Sequence, residues 1–381
     1  MNNVLQNLMR QATQLTQAGR LGEATAAIQS ALKGASKSTL SDKANPYEVV
    51  ADEDLPPKPT PSGIILDGCV FEAKDESKDE FISGTCTHAA LTRRYKLYVP
   101  AGFDKSAGKQ RPLVVMLHGC TQNPDDFAVG TGMNERAREQ GFCVLYPEQS
   151  QDANPQRCWN WFKHNHQSRG RGEPALIASM TQTIMKEHDI DPRRVYIAGL
   201  SAGGAMAAIV ADAYPELFAA AGVHSGLPNG AASNVAEALA VMGSGQSGHG
   251  MAPKQATKST HPTQQAQRQV PTIVFHGDQD RTVHPRNGEQ VIASALGRSA
   301  AANPRVTQGS RVTQGISANG RRYTSATHHG DAGEVLAEHW LVHGAGHAWS
   351  GGHAKGSYTD AKGPDATAEI LRFFFAHPQT V

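Results

Sequence analysis

Three observations predict an α/β fold with a mostly parallel central sheet flanked by helices. Continuous apolar runs at 112–117, 142–146, 195–198, 219–223 and 272–275 lack the alternation of half-exposed strands, so they suit strands buried on both faces. Stretches of helical pattern at 134–140 and 175–188 separate some of these runs, as crossover helices do. The third run passes through Gly199-Leu200-Ser201-Ala202-Gly203 into a helical stretch at 205–211, giving strand, tight turn and helix in succession.

Taken in order, residues 1–34 place Leu5, Leu8, Ala12 and Leu15, then Leu21, Ala24, Ile28 and Leu32, at helical spacing around Gly19, which predicts a helical hairpin. Its apolar stripe could dock on the rest of the chain, on a partner, or on a hydrophobic surface. Residues 35–62, rich in Ser, Asp and Lys and carrying Pro56, Pro57, Pro59 and Pro61, are expected to be a linker. The main α/β domain is expected over 63–381. It starts with an alternating strand at 94–99, runs through the buried strands, and closes with a strand at 340–342 and a helix at 366–376. Two stretches break the pattern. Residues 226–269 are dominated by Gly, Ala, Ser and Gln, and 299–320 repeat Arg-Val-Thr-Gln-Gly from Arg305 and Arg311. Both are expected to be flexible surface insertions, the first either a lid or a segment with no role.

The 381 residues are enough for a large buried core. Lys plus Arg (36) balance Asp plus Glu (35), which argues against a nucleic-acid or other polyanionic partner. No apolar run is long enough for a transmembrane helix, and residues 1–17 lack the order of a classical export signal. The five cysteines allow Cys69–Cys86 and Cys120–Cys158 as local bridges, with Cys143 buried in a strand, but they are equally compatible with five reduced thiols. Bridges would favour an extracellular or periplasmic home, whereas a missing export signal favours the cytoplasm.

The turn around Ser201 has the form of a nucleophile elbow, in which a serine projects from a strained strand-to-helix corner and its neighbours are small because the two elements crowd there. A serine nucleophile needs a base to take its proton and an acid to orient that base. The loop after 272–275, His276-Gly277-Asp278-Gln279-Asp280, supplies the acid, assigned to Asp280 with Asp278 as competitor. The glycine-rich loop after 340–342 supplies the base, assigned to His347 with His343 and His353 as alternatives. The glycines between these histidines oppose a helical ligand pair, so a metal site is not expected. The oxyanion is assigned to the backbone amides of Ala202, directly after the serine, and Cys120, in the loop after 112–117.

Together, Leu-His-Gly-Cys-Thr-Gln at 117–122, Cys-Trp-Asn-Trp-Phe at 158–162, Gly-Leu-Ser-Ala-Gly-Gly at 199–204, the Asp280 loop and Gly-His-Ala-Trp-Ser-Gly-Gly at 346–352 resemble the polyhydroxybutyrate depolymerase-type esterases of the α/β-hydrolase superfamily, relatives of feruloyl and acetylxylan esterases. Gly-Ser-Tyr-Thr-Asp and Gly-Pro-Asp, within 356–365, add to the likeness, which covers roughly 91–375. The resemblance implies an α/β-hydrolase fold, an ester substrate and Ser201, Asp280 and His347 as a triad. It also implies Cys120 and Ala202 as oxyanion donors and a Cys120–Cys158 bridge holding the Trp159 loop near the site. Members that attack extracellular polymer carry a signal peptide and often a polymer-binding domain, neither of which is visible here, and residues 1–34 are the segment that could make contact with a polymer or granule surface.

The expectation is therefore a serine carboxylesterase that needs no cofactor, with Trp159, Trp161 and Trp349 lining an apolar cleft or packing in the core. Hydroxyalkanoate polymer or oligomers, feruloyl or acetyl esters of plant polysaccharide, and small lipid esters are its candidate substrates. A serine peptidase and an inactive, granule-associated hydrolase are the readings from other classes.

Overall fold

The computed structural model describes residues 78–102, 110–245, 268–297, 310–330 and 332–380, with the backbone of 65–66 and 69–70. The expected hairpin at 1–34 and linker at 35–62 lie outside the described residues, as do 246–267 and 298–309. The chain divides into two units, Met1–Glu72 and Ala73–Val381. In the first, β1 (Ile65–Leu66) and β2 (Cys69–Val70) pair antiparallel. Everything below concerns the second.

Its centre is a ten-stranded sheet. The middle strands, in spatial order, are β12 (Val335–Val342), β9 (Thr272–Gly277), β8 (Ala220–His224), β7 (Ile190–Leu200), β5 (Arg111–Leu117) and β6 (Cys143–Pro147), each parallel to the next. Antiparallel hairpins close both edges: β4 (Leu91–Val99) with β3 (Glu80–His88) beyond β6, and β11 (Arg322–His329) with β10 (Arg311–Ile316) beyond β12.

The unalternating runs have the predicted cause. Leu113, Val115 and Leu117 of β5 and Val195 and Ile197 of β7 enter one core with Met180 and Ile184 of α3 (Gly172–Glu187) and Met206, Ile209 and Val210 of α4 (Ala202–Ala213). The alternate residues Val114, Met116, Tyr196 and Ala198 enter a second core on the other face. It contains Phe127 of α1 (Pro124–Thr131), Met133 and Ala137 of α2 (Met133–Gln140), and Ile370, Phe373 and Phe374 of α7 (Ala366–Ala376). With helices on both faces, both sets of side chains leave water. Asp365 starts α7 by accepting from the Ala368 amide at 2.9 Å.

Two expectations are corrected. The 226–269 stretch was expected as a flexible insertion, but it includes α5 (Val235–Ser244), whose N-cap Asn234 accepts from the Glu237 amide and whose Val241 is fully buried. Within 299–320, the second Arg-Val-Thr-Gln-Gly copy forms β10, not a mobile loop. Its polar composition suits an edge strand exposed to water, and Tyr323 opposite Gly315 lays its ring over the glycine, where a side chain would sit 2.5 Å from the ring. The other edge repeats the device, with Tyr95 over Gly84. The helices α1 and α6 (Arg286–Ala295) were not anticipated, because α1 carries Pro and Gly and α6 opens on Arg-Asn-Gly. Among the described residues, no helix is long and apolar enough to cross a membrane.

Fully buried Phe374 stacks on Tyr196 with ring centroids 4.9 Å apart, fastening α7 to the sheet. Phe374→Ala is expected to cost about 3–5 kcal/mol, read as a lower urea midpoint at unchanged slope; a loss under about 1 kcal/mol would show that α7 contributes little to the core.

Candidate active site

Ser201 stands at the corner between β7 and α4 with φ 58° and ψ −120°, a conformation that costs a non-glycine residue on the order of 1–3 kcal/mol unless its surroundings impose it. Here they do. The Ser201 amide donates to the His224 carbonyl of β8 at 2.9 Å, and the Ser201 carbonyl accepts from the Ala205 amide at 2.9 Å. A methyl group on Gly203 would lie 2.5 Å from the His118 carbonyl oxygen, and one on Gly199 would lie 2.7 Å from that of Leu117. Only glycine lets strand, corner and helix press against the end of β5. Ser201 is left 8% exposed.

The loops after β9 and β12 are stitched together along their backbones, with Asp278 N donating to Val342 O at 3.1 Å and Gln279 N to Ala345 O at 3.0 Å. Across this seam, His347 Nδ1 donates to Asp280 Oδ2 at 2.7 Å. Asp280 Oδ1 accepts from the amides of Thr282 and Val283, both at 2.9 Å, while His276 Nε2 lies 3.5 Å from Oδ2 and donates to Val283 O. Burial alone would raise the Asp280 pKa, but its contacts with His276, His347 and the Val283 amide outweigh that and hold the carboxyl well below the usual range.

The two competing residues find each other. Asp278 Oδ2 takes His343 Nδ1 at 3.0 Å, and His343 Nε2 meets Thr324 Oγ1 at 2.9 Å, so both ring nitrogens of His343 are engaged away from the serine. The Nδ1 of His353 accepts from Lys355 N within its own turn. Of the three, His347 has its Nδ1 held by a buried carboxylate, the arrangement that a serine's base requires.

The 118–122 loop that carries Cys120 is pinned from several sides. Trp159 Nε1 donates to His118 O at 3.1 Å, Thr121 N donates to Gln156 O at 2.7 Å, and Gly119 N donates to Gln122 Oε1 at 2.9 Å. A disulfide joins Cys120 to Cys158. Burial lowers the pKa of His118 to about 4; the neutral ring donates from Nδ1 to Gly119 O and accepts the Gln149 amide on Nε2. Beneath lies a charge that sequence reasoning missed. Fully buried Glu173 accepts from Asn160 N (2.7 Å), Asn160 Nδ2 (2.7 Å) and Gln149 Nε2 (2.5 Å), with Arg93 3.6 Å away. Gln149 also donates to Cys158 O at 3.1 Å. An acid in the first turn of a helix reads in sequence as ordinary end stabilisation, so nothing marked Glu173.

The cleft assignment for the tryptophans is corrected. Trp159, Trp161 and Trp349 are all buried; Trp349 stacks on His224 (5.1 Å) and donates to Thr367 Oγ1 at 3.0 Å. They brace the loops from behind because their large apolar area is better buried than left at a mouth. His224, also missed, joins the base loop to the elbow: Nε2 accepts from Ser350 N at 2.9 Å while its carbonyl holds Ser201. Burial, with the nearby charges of His276 and His347, pushes its pKa down to about 3. The expected Cys69–Cys86 bridge involves Cys69, whose side chain lies outside the described residues. Cys86 is a free thiol whose side chain packs into the core on the α3 face, where burial and the Glu187 charge raise its pKa against a hydrogen bond with Ser179. Cys143 is free and buried. Among the described residues, no three His, Cys, Asp or Glu side chains group as metal ligands.

Residues 93–312 match the family model of the PHB depolymerase esterases. Among known proteins, poly(3-hydroxyalkanoate) depolymerase C of Paucimonas lemoignei is 34% identical over 51% of this chain and 46% of its own length. Feruloyl esterase B of Thermothelomyces thermophilus is 29% identical over 51% of this chain and 67% of its own. The chain thus spans less than half of the depolymerase. The acetyl xylan esterase from Aspergillus awamori superposes over 77% of this chain and 99% of its own with a TM-score of 0.58 at 19% identity, a likeness of fold.

Burial alone would raise the pKa of Glu173, but its hydrogen bonds with His166, Gln149 and Asn160 hold it below the ordinary value. Its contribution to stability is therefore full above the unfolded value of about 4.3 and is lost as pH falls through the lower folded value. Glu173→Gln is expected to cost on the order of 1–3 kcal/mol at pH 7, with the gap from wild type closing below about pH 4 in urea melts. A gap independent of pH would mean that the charge is not what matters.

Proposed function

The chain belongs to the PHB depolymerase esterase family, and on that premise we propose that it is a serine carboxylesterase. Ser201 Oγ attacks the ester carbonyl carbon while His347 Nε2 takes the serine proton; Asp280, kept ionised, holds the imidazole by Nδ1 in the tautomer that leaves Nε2 free to accept. The amides of Cys120 and Ala202 receive the oxyanion: the first lies in the loop pinned at the end of β5, and the second heads α4, where the first amides have no partner within the helix. His347 then gives its proton to the leaving alkoxide. Water, deprotonated by the same nitrogen, clears the acyl-serine and restores the enzyme. The observation that carries this reading is the 2.7 Å bond from His347 to Asp280, formed at the strand ends that also hold the elbow.

For substrate we propose short-chain hydroxyalkanoate esters, as oligomer or polymer. The 34% identity to the Paucimonas lemoignei depolymerase supports this. Feruloyl esters are the alternative that the feruloyl esterase relative raises and acetylated xylan the one raised by acetylxylan esterase relatives, and a panel of hydroxybutyrate oligomers, feruloyl esters and acetylated xylan separates them by kcat/KM.

With p-nitrophenyl butyrate, Ser201→Ala is expected to lower kcat by about 10³-fold or more and Asp280→Asn by up to about 10⁴-fold, whereas Asp278→Asn changes it less than about tenfold. Wild-type turnover by Ser201→Ala would sink the esterase reading. A larger loss in Asp278→Asn than in Asp280→Asn would reverse the choice of acid.

A further inference from the structure

The Gly356-Ser357-Tyr358-Thr359-Asp360 segment has no part in the triad, yet it ties together the two loops that serve it. On one side, β14 (Thr359–Asp360) pairs with β13 (Trp349–Ser350), and the Trp349 amide donates to Tyr358 O at 2.7 Å, two residues from His347. On the other, Ser357 N donates to Asp126 Oδ1 at 2.8 Å, and Gln122 Nε2 donates to Ser357 O at 3.2 Å. A side chain on Gly356 would lie 2.5 Å from the Gly130 nitrogen, so the strap lies flat against α1.

Within this clamped strap, Tyr358 is left 45% exposed and held at φ 51°. An isolated exposed aromatic needs no explanation, but one fixed in the left-handed region is an outlier of the kind that gathers at functional sites. Its phenol lies 3.1 Å from Thr121 Oγ1; that hydroxyl already donates to Cys120 O at 2.6 Å, so the phenol is the donor. Its ring stands edge-on to the His347 imidazole, with centroids 6.5 Å apart and planes at 79°. The ring is thus oriented from both sides, by the oxyanion loop and by the base, while nearly half of the residue faces solvent.

We propose that Tyr358 is a specificity-determining residue whose ring forms the wall against which the alcohol portion of the ester lies. The inference rests on the serine esterase reading, in which the leaving oxygen must come within hydrogen-bond reach of His347 Nε2. A ring beside that imidazole borders the leaving group, and its exposed surface offers stacking and apolar contact to a planar or apolar alcohol. A role confined to holding Thr121 would require only the phenol oxygen.

The test compares 1-naphthyl and methyl butyrate by pH-stat. The two esters share one acyl-enzyme, so a change confined to the alcohol side appears in the ratio of their kcat/KM values. Tyr358→Ala is expected to lower the naphthyl-to-methyl ratio about tenfold, and Tyr358→Phe, which keeps the ring, to hold it within about twofold. Tyr358→Gly, which removes the ring and suits the left-handed backbone, is the second variant and should match Tyr358→Ala. An unchanged ratio in both the Ala and Gly variants, or an equal fall in Tyr358→Phe, overturns the proposal. Failure of the underlying reading shows separately, as wild-type hydrolysis of methyl butyrate by Ser201→Ala.

Discussion

The corner after β7 presses against the end of β5, and the arrangement around it depends on that contact. Gly199 and Gly203 leave no room for even a methyl group against the Leu117 and His118 carbonyls. The contact forces Ser201 into a left-handed conformation, starts α4 at Ala202 and sets both beside the 118–121 loop. A larger residue at either glycine would push the helix away from the loop, and the proposed oxyanion donors would part. The strain at Ser201 is balanced locally, by the His224 carbonyl on its amide and by α4 on its carbonyl.

Around that contact, charge is arranged in two parallel pairs. Asp280 with His347 and Asp278 with His343 sit on the same two loops, two residues apart on one and four on the other, yet they do different things. Asp280 is buried and fed by two amides and two imidazoles, so it stays ionised. Asp278 ties its own loop to the Gly344 amide and to His343, whose other nitrogen is taken by Thr324. The outer pair is a clasp that keeps the two loops together. The inner pair fixes one imidazole by its Nδ1.

The oxyanion side is stiffened from beneath. The Cys120–Cys158 bridge fixes one end of the Trp159 loop; Glu173, with Gln149, Asn160 and Arg93, satisfies the polar groups that this loop buries. A carboxylate without water is costly unless every oxygen is met, and here the partners come from the same segments that carry the loop. Stability and site geometry therefore share one network. The strap at 356–360 closes the other side over the shared boundary of the two loops.

By itself the sequence determined the sheet, the crossover helices and the tight corner at Ser201, and it marked the loops that carry Asp280 and His347, because these follow from local rules. Buried strands must be apolar throughout, a tight corner must be glycine, and Asp280 and His347 follow strand ends in the chain. It favoured Asp280 over Asp278 and His347 over His343 and His353 without fixing their partners, because which carboxylate meets which imidazole depends on the register of β9 against β12, where Val342 faces Gly277. Glu173 and His224 were silent, and Tyr358 stood out only as part of the Gly-Ser-Tyr-Thr-Asp motif, with no role attached. Their partners lie at Asn160, Ser350 and Thr121, distant in the chain or in other loops, and no spacing rule joins them. The polar edge strand β10 resembled a loop because its side chains meet water, and the tryptophans suggested either a cleft or core packing, between which their burial decides. Only the tertiary structure decided these points, since burial and hydrogen-bond pairing are properties of contacts between distant segments rather than of any one segment.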